Sequence, residues 1–250
     1  MRVHVPDPAY TASARAGRNF VLALKIVVGF VIVMWGVFLF DQFTRTGLIR
    51  YGLIPREGIG LIGLATTPLL HYNLSHIGSN TLPLLIGGTM MLFLYPNSAL
   101  RALPAIWVGS GLLAWTFARS SVHIGASGVI YGLLAFVFIS GVIRRDMRSI
   151  GAALVIWFMY GPMIWGVLPA GPTMSWELHA SGLALGIAMA LRYRDWDKPP
   201  MKRYDWEDDD PFEDGDDSFD DPGNETDSFD DEADDALGDD GLGDDFGGVD

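Results

Sequence analysis

The 250-residue chain contains no cysteine, which excludes a disulfide framework, a thiolate metal site and a thiol nucleophile. The last part of the chain contains no positively charged Lys or Arg residue. Residues 204–250 hold 23 Asp and Glu but no Lys or Arg, whereas residues 1–203 hold 17 basic and 7 acidic residues. The net charge of -13 therefore combines a basic, apolar body with an acidic tail. An acidic segment with few aliphatic residues buries too little apolar surface to fold alone, so we expect a disordered tail.

Six apolar stretches fill the body, each close to the length of about 20 residues that a helix needs to cross a bilayer. They predict an all-α membrane protein built on six transmembrane helices. We assign residues 1–20 to a cytoplasmic segment, 21–192 to the six-helix domain, and 193–250 to a basic juxtamembrane stretch followed by the acidic cytoplasmic tail. The predicted spans are Val21–Phe40, Ile77–Tyr95, Ala102–Ala118, Gly125–Ile143, Ile150–Leu168 and Trp176–Leu191.

The distribution of basic residues predicts the orientation of these spans. Cytoplasmic loops are enriched in Lys and Arg, and six spans place both termini on that side. We therefore expect a multi-pass protein of the plasma membrane with both termini cytoplasmic. The basic residues that this arrangement places inside are Arg2, Arg15, Arg18, Lys25, Arg144, Arg145, Arg148, Arg192, Arg194, Lys198, Lys202 and Arg203.

Two polar residues lie inside apolar stretches, where such groups are costly and usually functional. Ser127 belongs to Gly125-Ala-Ser-Gly128, and His179 is followed by Gly182 and Gly186 at i+3 and i+7. Small residues on the face of the histidine allow a neighbouring helix to approach closely. Because an imidazole within hydrogen-bond reach activates a serine hydroxyl, the pair predicts a nucleophile and a general base.

Other polar residues complete a possible hydrolytic site. His76 and Asn80 are four residues apart and share a helix face. Their side chains, with the backbone N–H of Ser127, are candidates for stabilising an oxyanion. Tyr131, one turn after the serine, is expected to pack on the imidazole of the base, and His71 to support the site. No buried Asp is available to orient the base, so we predict a dyad.

Three blocks carry a resemblance: His71-x₄-His76-x₃-Asn80, Gly125-x-Ser127-Gly128 with Tyr131, and His179-x₂-Gly182-x₃-Gly186. In this order on spans two, four and six, they resemble the rhomboid family of intramembrane serine proteases over about residues 20–192. The resemblance implies a rhomboid-like bundle that opens outward to water, Ser127 as nucleophile, His179 as base, and an oxyanion site from Asn80, His76 and the Ser127 N–H. Its implied substrates are transmembrane helices of other proteins.

One position departs from the family pattern. Many members carry a Trp-Arg pair eight to nine residues before the first histidine, where this chain has Ile62-Gly63. The difference concerns the folding and docking of the first loop rather than the chemistry of the site.

Alternative interpretations remain open from the sequence. Small residues around Ser127 also suit helix packing, and His76 and Asn80 also suit interhelical hydrogen bonds. A catalytically silent relative would bind transmembrane helices for quality control or trafficking, and a transporter would line a pathway with polar groups. Glu177 is expected at the water interface.

The expected partners are the lipid bilayer and transmembrane-helix substrates. The four histidines of the predicted six-helix domain (His71, His76, His123 and His179) form no His-Glu-x-x-His pattern, so no metal site is predicted. We expect no cofactor and no nucleic-acid ligand. Asp-Ser-Phe-Asp-Asp occurs at 217–221 and again at 227–231. The repeat is compatible with docking to a cytoplasmic partner, or with a solvating tail that has incidental phenylalanines.

Overall fold

The computed structural model describes residues 13–169, 171 and 174–200. The acidic tail, with both Asp-Ser-Phe-Asp-Asp segments, lies outside these residues. Within them the fold consists of helices: α1 Ala14–Thr44, α2 Leu74–Leu94, α3 Pro96–Phe117, α4 Ser127–Arg144, α5 Met147–Tyr160 and α6 Trp176–Arg192. Short helical turns between α1 and α2 cover Leu48–Tyr51, Ile59–Ile62, Gly63–Thr66 and Thr67–Leu69, and a 3₁₀ segment, Gly161–Val167, follows α5.

Each of the six predicted apolar stretches forms one long helix, which confirms the all-α membrane fold. Five of the spans are long and apolar enough to cross a membrane, whereas α6, with 17 residues, is shorter. The fifth stretch was predicted to be helical to Leu168, but the α-helix ends at Tyr160 and continues as 3₁₀ turns. Pro162 explains the change because it lacks the N–H that an α-helix needs at that position.

Polar side chains define where several helices begin. Ser13, Asn73 and Asp146 precede α1, α2 and α5, and each accepts a hydrogen bond from the backbone N–H three residues later, at 3.2, 2.9 and 3.1 Å. These caps satisfy donors that have no partner inside the helix. The start of α2 is thereby fixed at Leu74, which leaves His71 outside the helix.

The central element is α4, which is buried on nearly all sides by α2, α5, α6 and α3. Its closest neighbour is α6, because both helices present glycines at their contact. A methyl group at Gly182 would collide with the carbonyl oxygen of Gly128, and one at Gly186 would collide with that of Gly132. The two backbones are therefore in direct van der Waals contact, as small residues allow in membrane bundles.

The first loop packs against the chain that precedes α4. Leu53 and His123 exchange two backbone hydrogen bonds of 2.9 and 2.8 Å, and the N–H of Gly125 donates to the carbonyl of Thr67 at 2.9 Å. A side chain at Gly63 would collide with the backbone of Leu53. An arginine is therefore not accommodated at position 63 in this loop, which accounts for the departure at Ile62-Gly63.

The opposite end of the bundle is held by the residues that follow α6. The carboxylate of Asp197 accepts hydrogen bonds from the backbone N–H groups of Asn97 and Ser98 and from both side chains, at 2.6 to 3.0 Å. The guanidinium of Arg144, at the end of α4, donates to the carbonyl of Tyr193 at 3.0 Å. These contacts connect the chain after α6 to the start of α3 and to the end of α4.

The close contact of α4 and α6 predicts that Gly182→Ala destabilises the protein. We expect a loss of about 1–3 kcal/mol in the free energy of unfolding, because the added methyl group forces the two backbones apart. Reversible unfolding in detergent micelles measures this change. Gly29→Ala on α1 is the control, since nothing lies within 4 Å of the added atom and stability should be kept or rise. Equal stability of both variants would contradict the prediction.

Candidate active site

Ser127 is the first residue of α4, directly after a sharp turn. The turn requires Gly125, whose φ of 107° is one that other residues rarely adopt. A methyl group at Gly125 would also lie 2.6 Å from Nε2 of His76 and 3.6 Å from Nδ2 of Asn80. The backbone before Ser127 therefore runs close to both polar side chains of α2, and the serine N–H, in the first helical turn, has no partner inside the helix.

The structure brings Ser127 and His179 into hydrogen-bond contact across the α4–α6 interface. Oγ of Ser127 lies 2.8 Å from Nε2 of His179. On the other side of the ring, Nδ1 lies 2.9 Å from the carbonyl oxygen of Gly166. A carbonyl only accepts, so this bond places the proton on Nδ1 and leaves the lone pair of Nε2 facing the serine hydroxyl. This is the protonation state that a general base needs.

Tyr131 lies against the imidazole, as its spacing from Ser127 predicted. The rings of Tyr131 and His179 are stacked, with centroids 4.3 Å apart and planes 9° apart. The phenol hydroxyl donates to the carbonyl of Met163 at 2.6 Å. Tyr131 therefore fixes the plane of the imidazole and also anchors the 3₁₀ segment that carries Gly166.

A second polar cluster lies beside the turn at Gly125 and consists of His71, His76 and Asn80. Nδ2 of Asn80 lies 3.0 Å from Nε2 of His71 and donates to the carbonyl of His76 at 3.1 Å. The rings of His71 and His76 meet edge to face, with centroids 4.9 Å apart. His71 thus orients the amide of Asn80, although it precedes the helix.

His71 is 3% exposed, and burial lowers its pKa from 6.5 to about 4. The neighbouring His76 acts in the same direction, because two positive charges at this distance repel. His71 is therefore neutral at neutral pH and can accept a hydrogen bond from Asn80. The glycines predicted to support the site, Gly128, Gly182 and Gly186, lie at the α4–α6 contact described above.

Several residues at the site could not be found from the sequence. Gly166 and Met163 contribute only backbone carbonyls, and the residue type carries no signal for such a role. Glu177, expected at the water interface, is only 2% exposed. That expectation was wrong because the loop before α4 covers the start of α6 and supplies Arg119 as a partner for the carboxylate.

Comparison with known proteins identifies the family. The family model described as Rhomboid domain matches residues 60–196. Uncharacterized proteins of Mycobacterium tuberculosis and Mycobacterium bovis are 35% identical over 181 residues, which cover 69% of this chain and 75% of each relative. An uncharacterized protein of Mycobacterium leprae is 30% identical over 174 residues, 66% of this chain and 68% of its own length. The chain belongs to the rhomboid family and is a multi-pass membrane protein.

The burial of His71 predicts that the fold loses stability in mild acid. The unfolded residue binds a proton below pH 6.5, whereas the folded one does so only near pH 4. Unfolding therefore takes up a proton in this window, and stability falls as the pH decreases through it, by about 3 kcal/mol in total. Unfolding in detergent at a series of pH values measures the slope. His71→Gln keeps an acceptor for Asn80 and should flatten the dependence of stability on pH. An unchanged slope in this variant would refute the assignment of the proton uptake to His71.

Proposed function

We propose that this protein is an intramembrane serine endopeptidase that cleaves transmembrane segments of other membrane proteins. The observation that carries the proposal is the 2.8 Å contact between Oγ of Ser127 and Nε2 of His179, with Nδ1 bound to a carbonyl. A serine and an imidazole in this tautomer form the minimal pair for acyl transfer. Membership of the rhomboid family supports the same conclusion.

In the acylation step, Nε2 of His179 accepts the proton of the Ser127 hydroxyl while Oγ attacks the carbonyl carbon of the scissile peptide. The oxyanion that forms lies beside the Ser127 N–H, with His76 as a further donor and with the Asn80 amide, which exchanges one of its two present hydrogen bonds for the oxyanion, as another. Collapse of this intermediate breaks the C–N bond, and Nε2 returns the proton to the leaving amine. The imidazolium that exists between these steps is stabilised by the carbonyl of Gly166, in the position that a carboxylate occupies in a triad.

Hydrolysis of the acyl-enzyme requires water, which the hydrocarbon of the bilayer excludes. Both members of the dyad lie near the starts of their helices, at the end of the bundle that carries the loops before α4 and α6. Water can reach the site from that end. Nε2 of His179 then accepts a proton from water while the water oxygen attacks the carbonyl carbon of the ester. Collapse of this second intermediate breaks the bond to Oγ, Nε2 returns the proton to Oγ, and the new carboxyl terminus leaves.

Several basic residues lie at the other end of the bundle. Arg144 is within hydrogen-bond distance of the chain after α6, and Arg148 lies over the ring of Phe93 at the end of α2. Phe93 in turn contacts Phe20 near the start of α1. By the enrichment of Lys and Arg in cytoplasmic loops, we propose that this end and both termini are cytoplasmic, and that the site faces the outside of the plasma membrane.

The dyad predicts that Ser127→Ala and His179→Ala each abolish cleavage of a labelled transmembrane substrate and labelling by a fluorophosphonate probe. Without either residue the acyl-enzyme cannot form at an appreciable rate. Ser140→Ala is the matched control, because Ser140 is the same residue type on the same helix, α4, but lies more than three turns from the site. A folded wild type that neither labels nor cleaves would overturn the proposal and favour a silent member that binds transmembrane helices.

The oxyanion donors predict a separate effect. Asn80→Ala should lower kcat about 10²–10³-fold, the usual cost of one oxyanion donor, with little change in KM. Steady-state cleavage in proteoliposomes separates the two constants. Asn97→Ala at the opposite end of the bundle should retain the wild-type kcat. A loss confined to KM would assign Asn80 to substrate binding instead.

A further inference from the structure

The loop before α4 and the start of α6 are joined by a buried ion pair that the dyad chemistry does not use. Oε1 of Glu177 accepts a hydrogen bond from the backbone N–H of Arg119 at 3.3 Å and lies 3.6 Å from Nε of the same residue. The side chain of Glu177 is 3% exposed and that of Arg119 34%. The second carboxylate oxygen of Glu177 is buried without a hydrogen-bond partner among the described residues. Its charge is therefore balanced by Arg119.

Arg119 also binds the loop that leads into α6. Its guanidinium donates to the carbonyl of Gly171 at 3.2 Å and to that of Met174. His123, fully buried four residues later, places Nδ1 3.0 Å from Oγ of Ser175, the residue before α6. On its other side, Nε2 lies 3.1 Å from the carbonyl of Arg119. The loop before α4 thus uses two side chains, Arg119 and His123, to hold the loop before α6 and the first turn of α6.

These contacts lie close to the dyad along both segments of chain. Glu177 is two residues before His179 on α6, and Arg119 is eight residues before Ser127. The intervening chain is itself fixed, since His123 pairs with Leu53 through the backbone. A relative movement of the two segments by about 1 Å would break the contact between Ser127 and His179, and displacements of that size cost about 10²-fold in rate.

We propose that Arg119 and Glu177 form an outer clasp that positions His179 against Ser127. Both are positioning residues: they touch neither the substrate nor the reacting atoms, and they act by fixing the start of α6 relative to the start of α4. The clasp takes over part of the alignment that a third catalytic side chain gives in a triad. The inference rests on the proposed protease function, but the clasp itself can be tested without it.

Three variants separate a working clasp from a merely structural contact. Arg119→Gln leaves the Glu177 carboxylate buried without its cation, and should lower kcat about 10–100-fold with KM nearly unchanged. Glu177→Gln keeps an acceptor for the Arg119 N–H and should lower kcat less. Because the uncompensated charge is the damaging group, the double variant Arg119→Gln/Glu177→Gln should recover several-fold over Arg119→Gln.

The control is Asp195→Asn, which removes exposed ion pairs with Arg194 and Lys198 at the opposite end of the bundle. It should match the wild type in every measurement. Rates are normalised to the folded fraction of each variant, and the rate of fluorophosphonate labelling gives a second measure of Ser127 activation. If normalised kcat and labelling rates of all clasp variants equal those of the wild type, the positioning role is refuted.

Hydrogen exchange of the backbone amides of residues 175–180 provides a readout that needs no activity. We expect faster exchange there in Arg119→Gln, partial recovery in the double variant, and wild-type exchange in Asp195→Asn. A wild type that neither labels nor cleaves would overturn the protease proposal, whereas this exchange pattern would still establish the clasp. Unchanged exchange in Arg119→Gln would overturn the clasp whatever the activity.

Discussion

The site depends on the direct backbone contact between α4 and α6. Side chains at Gly182 and Gly186 would occupy the space of two α4 carbonyls, so only glycine lets the helices come this close. Ser127 is the first residue of α4 and His179 is in the first turn of α6, and their short and medium-sized side chains meet at 2.8 Å only at this separation. Glycines in a membrane bundle are ordinarily packing devices. Here the packing also sets the distance between Ser127 and His179.

The orientation of the His179 ring comes from backbone and ring contacts rather than from a carboxylate. The carbonyl of Gly166 fixes the tautomer of His179, and stacking on Tyr131 fixes the plane of its ring. The same tyrosine binds the carbonyl of Met163, so the 3₁₀ segment, the phenol and the imidazole form one connected unit. A carbonyl carries no net charge, and it therefore avoids the desolvation cost that a buried carboxylate would add at this position.

The two ends of the bundle divide the polar chemistry between them. At the end that carries the loops before α4 and α6, buried histidines, an asparagine and the Arg119–Glu177 pair surround the Ser127–His179 contact and join the first loop to the segments before α4 and α6. At the opposite end, Asp197 and Arg144 bind the ends of neighbouring helices. The hydrocarbon-facing middle holds mainly apolar and small side chains. Polar groups are thus concentrated where water or a partner can satisfy them.

The sequence by itself determined the six helices, because runs of about 20 apolar residues have few stable alternatives in a bilayer. It also indicated the polar residues of the site, since Ser127, His179, His76 and Asn80 stand out against apolar surroundings, and helical spacing placed Tyr131 on the serine face. Only the tertiary structure decided that His179 binds the carbonyl of Gly166 and that Glu177 is buried against Arg119. Backbone acceptors leave no mark in residue type, and the burial of a charge depends on a partner 58 residues away.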